Sequence, residues 1–323
     1  MKYLWLIWVV LSISVHAAPY DKRPINKLIF FGDSLSDKGR LFKEVLDSKI
    51  PAPPYYNGRF SNGPVWSELF AAAYDLKQSC HYRIYAIGGA TAAYHPEDVS
   101  SSPTTLSKEV DDYLFDDYYR YLDKERTLFI FWIGGNDYLL SNADPNMQVA
   151  VQRVIDGIME QIGRLIAYGA QNFMIFNLPD LSVSPYGQSL TPAEQLKLKA
   201  VIRIHNEKLA SLVTMLRNTD PDLVVDLIDA NGLFNNMINN PAFYNQQYHI
   251  NMTNVKDACW RGSYAGDVQS RNTSSSSASQ DANMPMVCPN PDNYVFWDKL
   301  HPTKVMQSVL AQVAMGEMDK FNT

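Results

Sequence analysis

A chain of 323 residues with 28 basic and 34 acidic side chains carries a formal net charge of −6. Such a chain has no basic patch for a phosphate backbone or an anionic lipid surface, which excludes nucleic acid as a partner and leaves at most transient contact with a membrane or lipid surface. The length suffices for one large domain with a substantial core.

Lys2, the apolar run Tyr3 to Val15 and the sequence Val15-His16-Ala17-Ala18 have the three parts of a secretory signal peptide, with cleavage expected after Ala17 or Ala18. The run is too short to span a bilayer, so residues 19–323 are expected to be secreted, extracellular or periplasmic, as a single domain. Without Lys2 the balance is 27 basic against 34 acidic, a net of −7.

Leu28-Ile29-Phe30-Phe31 reads as a buried parallel strand running into Gly32-Asp33-Ser34. A turn at the carboxyl end of such a strand lifts the next side chain above the sheet edge, which makes Ser34 a candidate nucleophile. Taken alone, Gly-Asp-Ser equally suits the cap of a helix beginning at Ser34. Residues 49–64 are rich in Pro, Gly, Asn and aromatics and form a loop. A helix follows from Val65 to Leu76, then a short strand from Arg83 to Ile87 closed by Gly88-Gly89, where a backbone N–H can face a developing oxyanion.

Thr105 to Leu122 reads as a helix whose aromatic residues, Tyr113, Phe115, Tyr118, Tyr119 and Tyr121, suit packing better than a ligand groove. Thr127 to Ile133 is a central buried strand ending in Gly134-Gly135-Asn136-Asp137. There the Asn136 amide can donate to an oxyanion while Asp137 braces the loop. Helix Met147 to Tyr168, strand Asn172 to Asn177, helix Thr191 to Asn218 with a Thr191/Glu194 capping box, and strand Leu223 to Ile228 complete the alternation. The pattern predicts an α/β fold: a five-stranded parallel sheet in flavodoxin-like order, covered by helices on both faces in an α/β/α sandwich.

Residues 231–295 break that rhythm and include the serine run 270–280, which buries nothing. Asn251 and Asn272 head glycan-acceptor triplets, a pattern that recurs by chance. Of the three cysteines, Cys259 and Cys288 are expected to pair, because the polar segment between them needs a tether. Closing such a loop stabilises by about 3 to 4 kcal/mol on chain-entropy grounds. Cys80 is expected to be a small buried hydrophobe. Asp298 and His301 stand in a loop ahead of the last helix, expected to begin at Pro302, where the carboxylate can reach the imidazole.

Together these stretches supply the parts of a serine esterase: Ser34 as nucleophile, His301 as general base, Asp298 as its orienting acid, and an oxyanion hole from Ser34 N–H, Gly89 N–H and the Asn136 amide. No metal is expected, since no two of the scattered histidines have ligand spacing, and no cofactor is implied.

Gly32-Asp33-Ser34-Leu35, Gly89, Gly134-Gly135-Asn136-Asp137 and Asp298-x-x-His301 occur in order over the whole mature chain, and in this the sequence resembles the GDSL, or SGNH, hydrolase family. The resemblance implies a flavodoxin-like α/β/α fold and a Ser-His-Asp triad outside the Gly-x-Ser-x-Gly elbow. Residues 57–66 and 296–303 look like the branch of secreted bacterial phospholipases, lysophospholipases and glycerophospholipid:cholesterol acyltransferases. That implies a lysophospholipid or phospholipid substrate and transfer of the acyl group to water or another alcohol. The segment from Cys259 to Cys288 resembles a loop of that branch that proteases nick, so an activating protease is an expected partner. Tyr55, Tyr56 and Phe60 are candidates for receiving an acyl chain, and packing explains them equally well. A carbohydrate O-acetylesterase would use the same triad and stays open as an alternative, as does a non-catalytic binding module.

Overall fold

The computed structural model describes residues 24–45, 49–78, 81–93, 104–117, 124–140, 146–265 and 286–322. The leader and its cleavage site, Cys80, Tyr118, Tyr119, Tyr121 and the serine run with Asn272 lie outside the described residues.

Five strands, β1 (Lys27–Gly32), β2 (His81–Ile84), β3 (Thr127–Trp132), β4 (Asn172–Phe176) and β5 (Val224–Ile228), form one parallel sheet in the order β2-β1-β3-β4-β5. The near-continuous apolar runs of β1, β3 and β4 follow from burial on both faces: every residue of β3 and β4 is buried, whereas the edge strand β2 is exposed at His81, Tyr82 and Arg83 and begins two residues before the expected Arg83. On one face, helix α1 (Trp66–Gln78) packs on the last helix of the chain, Lys304–Gly316. On the other, α2 (Leu106–Asp117) and the helix Pro192–Thr219 flank the helix Met147–Ala167. The result is the three-layer α/β/α architecture expected from the sequence.

Register decides where the loops emerge. Gly32 pairs with Trp132, so the chains leaving β1 and β3 rise side by side at the carboxyl edge, where the strand order reverses and α/β sheets place their ligands. Gly32 is required there, because a Cβ at its φ of +153° would stand 2.3 Å from the Trp132 carbonyl oxygen. Beyond β2, Tyr85 N–H and Ile87 N–H still bond to Phe30 O and Gly32 O, at 2.7 and 3.1 Å, which carries the Gly88-Gly89 turn to the same edge.

The remaining helices in chain order are α3 (Gly135–Leu140), α4 (Met147–Ala167), α5 (Pro185–Gln188), α6 (Pro192–Thr219), α7 (Ala230–Asn239), α8 (Pro241–Tyr248) and α9 (Lys304–Gly316). The Thr191/Glu194 capping box opens α6 as the sequence indicates. Residues 231–295 contain structure the sequence did not reveal: most of α7, all of α8 and a strand β6 (Asn254–Ala258), which pairs in parallel with β7 (Tyr294–Phe296). Among the described residues no helix is long and apolar enough to cross a membrane. Tyr113 of α2 packs on Phe31, Tyr85 and Phe129, as expected of a core aromatic, whereas Phe115 is exposed.

Candidate active site

Ser34 follows β1 in a tight turn in which Ser36 N–H and Asp37 N–H both bond to Asp33 O at 3.0 Å. No helix begins there, which corrects the sequence expectation. Ser36 is tied outward instead: Trp66 Nε1 donates to its hydroxyl at 3.1 Å, and the Ser67 hydroxyl donates to its carbonyl at 2.8 Å. The Asp37 carboxylate takes the N–H groups of Gly39, Arg40 and Leu41, and the chain turns helical only at Leu41–Val45.

His301 comes from the far end of the chain. After β7, Trp297 N–H closes a loop onto His301 O at 2.7 Å, and Asp298 Oδ1 accepts from Leu300 N–H and His301 N–H, both at 2.8 Å. Pro302 does not start a helix; it bridges to Phe296, and the Ser61 hydroxyl donates to its carbonyl at 2.9 Å. Thr303 takes the cap, accepting from Met306 N–H, so α9 starts at Lys304.

This folding brings the three groups into contact. His301 Nδ1 lies 2.8 Å from Asp298 Oδ2, and His301 Nε2 lies 2.8 Å from Ser34 Oγ, with all three residues buried. A carboxylate only accepts, so the proton sits on Nδ1 and the serine hydroxyl donates to Nε2. That is the arrangement in which an imidazole can take the hydroxyl proton as the oxygen attacks.

The polar groups expected to form the oxyanion hole converge on the same cavity, whose lining includes Ser34, Gly88, Gly89, Asn136 and His301. Ser34 N–H has no acceptor among the described residues. Gly88 N–H is committed to Asp37 Oδ2 at 2.8 Å, and Gly89 stands beside it in the same turn at φ +82°. Asn136, at the start of α3, uses one amide hydrogen on Ala90 O at 2.9 Å and has a second.

Buried carboxyls underneath hold these loops. Asp37 accepts from Gly39, Arg40, Leu41 and Gly88 N–H, Glu109 from Gly32 and Ile87 N–H, and Asp137 from Ala92 and Ala93 N–H. Burial raises the carboxyls of Asp37 and Glu109 above their ordinary values, against the pull of those N–H groups. Asp33, beside the nucleophile, is pushed up by burial to about 7, with the Leu35 N–H and the His301 charge opposing. Asp298 behaves in the opposite way. Burial raises it, but the His301 charge, the His301 ring N–H and two backbone N–H groups outweigh that and hold it below the carboxylate range.

The cavity measures about 630 Å³, and apart from the catalytic edge its walls are mostly apolar, with Leu41, Val45, Leu139, Val183, Phe234 and Phe296 among them. Of the three aromatics expected to meet an acyl chain, only Phe60 lines it, with its ring 4.9 Å from the His301 ring. Tyr56 is 42% exposed under the Arg59 guanidinium, and Tyr55 is buried with its hydroxyl on Asp298 Oδ2 at 2.8 Å. The loop that carries them braces the histidine instead: Ser61 holds Pro302, and Asn62 Oδ1 accepts from Lys304 N–H at 2.7 Å. No local signal marks Tyr55, since its partner lies 243 positions away.

Cys259 and Cys288 form the disulfide. It sits against the base loop: Cys259 N–H bonds to Phe296 O at 3.1 Å and Trp260 N–H to Trp297 O at 2.5 Å. Tyr264, just inside the bridge, lines the cavity and packs on both Phe60 and His301.

Residues 28–314 match the family described as GDSL-like Lipase/Acylhydrolase. The chain belongs to this family. It is 28% identical to a phosphatidylcholine-sterol acyltransferase of Aeromonas hydrophila, covering 96% of this chain and 95% of the relative. A thermolabile hemolysin of Vibrio parahaemolyticus is 29% identical over 89% of this chain and 62% of its own length. A secreted effector protein, SseJ, of Salmonella typhimurium is 30% identical over 61% and 45% respectively. Family membership makes the chain an esterase or acylhydrolase of the GDSL type.

Proposed function

We propose that this GDSL esterase hydrolyses acyl esters of lysophospholipids and phospholipids through Ser34, His301 and Asp298. The observation that carries the reading is the continuous chain of contacts, Ser34 Oγ to His301 Nε2 and His301 Nδ1 to Asp298 Oδ2, each 2.8 Å, opening on a large apolar cavity.

Ser34 Oγ attacks the ester carbonyl as its proton passes to His301 Nε2. Asp298, ionised, holds the Nδ1–H tautomer and offsets the charge of the imidazolium. The tetrahedral oxyanion is met by Ser34 N–H, Gly89 N–H and the Asn136 amide, donors fixed before the charge appears. On collapse the glycerol-side oxygen leaves with the proton from His301. His301 then activates water, which releases the fatty acid and frees Ser34. A second alcohol in place of water gives acyl transfer, and the similarity to a phosphatidylcholine-sterol acyltransferase supports including it. A 630 Å³ apolar space suits a long acyl chain better than an acetyl group, which places the carbohydrate O-acetylesterase reading second. The disulfide suits an exported enzyme acting outside a reducing cytosol.

The test is a panel of lysophosphatidylcholine, diacyl phosphatidylcholine, triglyceride and acetylated sugar, offered to wild type and to Ser34→Ala. Fatty acid release from the two phospholipids, abolished in the variant, supports the reading. Undiminished release by Ser34→Ala ends the triad assignment, and a preference for acetylated sugar ends the lipid assignment.

A further inference from the structure

We propose that Tyr55 is a positioning residue for this reaction: its hydroxyl donates to Asp298 Oδ2 and fixes the carboxylate in the orientation that receives His301 Nδ1. The inference rests on the Ser34-His301-Asp298 reading and adds a fourth member to it.

The two oxygens of Asp298 are not held alike. Oδ1 is fixed by two backbone donors of its own loop, Leu300 N–H and His301 N–H. Oδ2 makes the shorter contact with His301 Nδ1, 2.8 Å against 3.0 Å for Oδ1, and no backbone N–H reaches it among the described residues. Its one other donor there is the Tyr55 hydroxyl at 2.8 Å. A carboxylate is free to rotate about its Cβ–Cγ bond, and each fixed donor removes part of that freedom. Without Tyr55 the oxygen facing the imidazole is held by the imidazole alone, and the two can drift together away from Ser34.

Tyr55 is suited to the task because it cannot move. Its ring is boxed by Phe60, Trp260, Tyr264 and Trp297, with centroids 5.9 to 6.4 Å away, and its N–H is bonded to Ala52 O at 3.1 Å. Ala52 N–H is bonded in turn to Tyr264 O at 2.7 Å, so the loop and the segment inside the disulfide lock each other. Burial, reinforced by the Asp298 charge, keeps the hydroxyl protonated far above a tyrosine's ordinary value, so the donor is present at any working pH. A side chain that served only to fill this box would need no hydroxyl, and a buried hydroxyl without a partner is destabilising. Here the hydroxyl is directed at the carboxylate that orients the base.

The experiment uses the full-length protein and a lysophospholipid ester. Tyr55→Phe keeps the ring and removes the donor; kcat is expected to fall about 10- to 100-fold, the range for a hydrogen bond to a charged group, with KM unchanged within about twofold. The deciding readout is the same substitution made in Asp298→Ala. There it should cost nothing further, since the group it acts through is gone. Labelling of Ser34 by a fluorophosphonate, which reports only on folded molecules, should slow by the same factor as kcat. Wild-type turnover by Tyr55→Phe, or an equal loss with and without Asp298, overturns the proposal. Neither result touches the triad reading, which fails only if Ser34→Ala retains activity.

Discussion

The two halves of the site are held by different physics. The proposed nucleophile, Ser34, and the proposed oxyanion donors stand at the sheet edge beyond β1 and β3, strands buried on both faces in the main core, and their loops are stitched together by buried carboxyls accepting backbone N–H groups. The proposed base and acid, His301 and Asp298, stand on a short loop outside that sheet. It is secured by the β6–β7 pair, by the disulfide and by a separate small cluster of Tyr55, Cys259, Trp260, Cys288 and Trp297. One half is rigid because it belongs to the fold, the other because it is strapped to it. Across the pair of triad contacts, the Ser34–His301 bond is the one that joins the halves. Catalysis should therefore be more fragile than the fold, and it should fail first from the strapped side.

The largest effect expected is from breaking the joint itself. His301→Ala should lower kcat by about 10⁵- to 10⁶-fold, since nucleophile and base act as a unit, while leaving the thermal midpoint within about 2 °C. Single-turnover ester hydrolysis and a melting curve check both. A large fall in the midpoint would mean that the loop depends on the joint for its structure.

On the sheet side, Asn136→Ala removes one oxyanion donor and the tie to Ala90 O. The expectation is a loss of about 10²- to 10³-fold in kcat with KM little changed, because the donor matters most when charge has developed. An equal rise in KM would move Asn136 from transition-state to ground-state binding.

The strap can be cut without touching a triad member. Replacing Cys259 and Cys288 together by Ala should cost about 3 to 4 kcal/mol on chain-entropy grounds. The loss should be local: amides of residues 286–303 should exchange faster while those of β1, β3 and β4 keep their protection, and activity should melt out below the sheet. Uniform loss of protection would show the two halves to be one cooperative unit.

What the sequence makes legible divides along the same line. The centre of the sheet is readable, since β1, β3 and β4, covered on both faces, appear as apolar runs, and β1 and β3, which build the site, each stop at a glycine and a polar group; the largely exposed edge strand β2 begins at His81 rather than at the expected Arg83. Ser34, Gly89, Asn136, Asp298 and His301 can be picked out because each stands at such a stop or beside the proline of the last loop. The strap is mostly illegible. Helix α7 does carry an apolar stripe, Ala230, Leu233, Phe234 and Met237, but within ten residues of which four are Asn. Helix α8 is eight residues that bury nothing, and β6 is a five-residue strand with two exposed positions, so neither of these two shows the periodicity that marks an amphipathic element. No helix runs on from Ser34 because the Asp37 carboxylate takes the N–H groups of Gly39, Arg40 and Leu41, and it is itself held by Gly88 N–H, 51 positions distant. Tyr55 resembles an acyl-chain contact in the sequence because aromatic residues in a loop look alike until their partners are known.

The smallest effect expected separates two carboxyls that flank the joint, one from each half. Asp33, on the sheet side, is pushed by burial to about 7, whereas Asp298, on the strap, is held ionised by its donors. Their contributions to stability therefore run in opposite directions with pH. Asp298, lowered in the folded state, contributes stability above the ordinary carboxylate value that is lost as pH falls through its lowered one. Asp33, raised in the folded state, leaves stability intact below about pH 3, where folded and unfolded chains both bind the proton. It then costs stability as pH rises towards 7, because the unfolded chain ionises first. Asp33→Asn keeps the acceptor for Leu35 N–H, 3.0 Å away, and removes the titration. The variant should match wild type near pH 3 and be more stable by about 4 kcal/mol at pH 7, since each pH unit above about pH 4 contributes up to about 1.4 kcal/mol. Denaturant unfolding at the two pH values measures the difference. A gap that does not widen with pH would mean that water or a neighbouring positive charge keeps Asp33 ionised in the folded protein, and the sheet side would then hold its nucleophile beside a charge rather than beside a neutral acid.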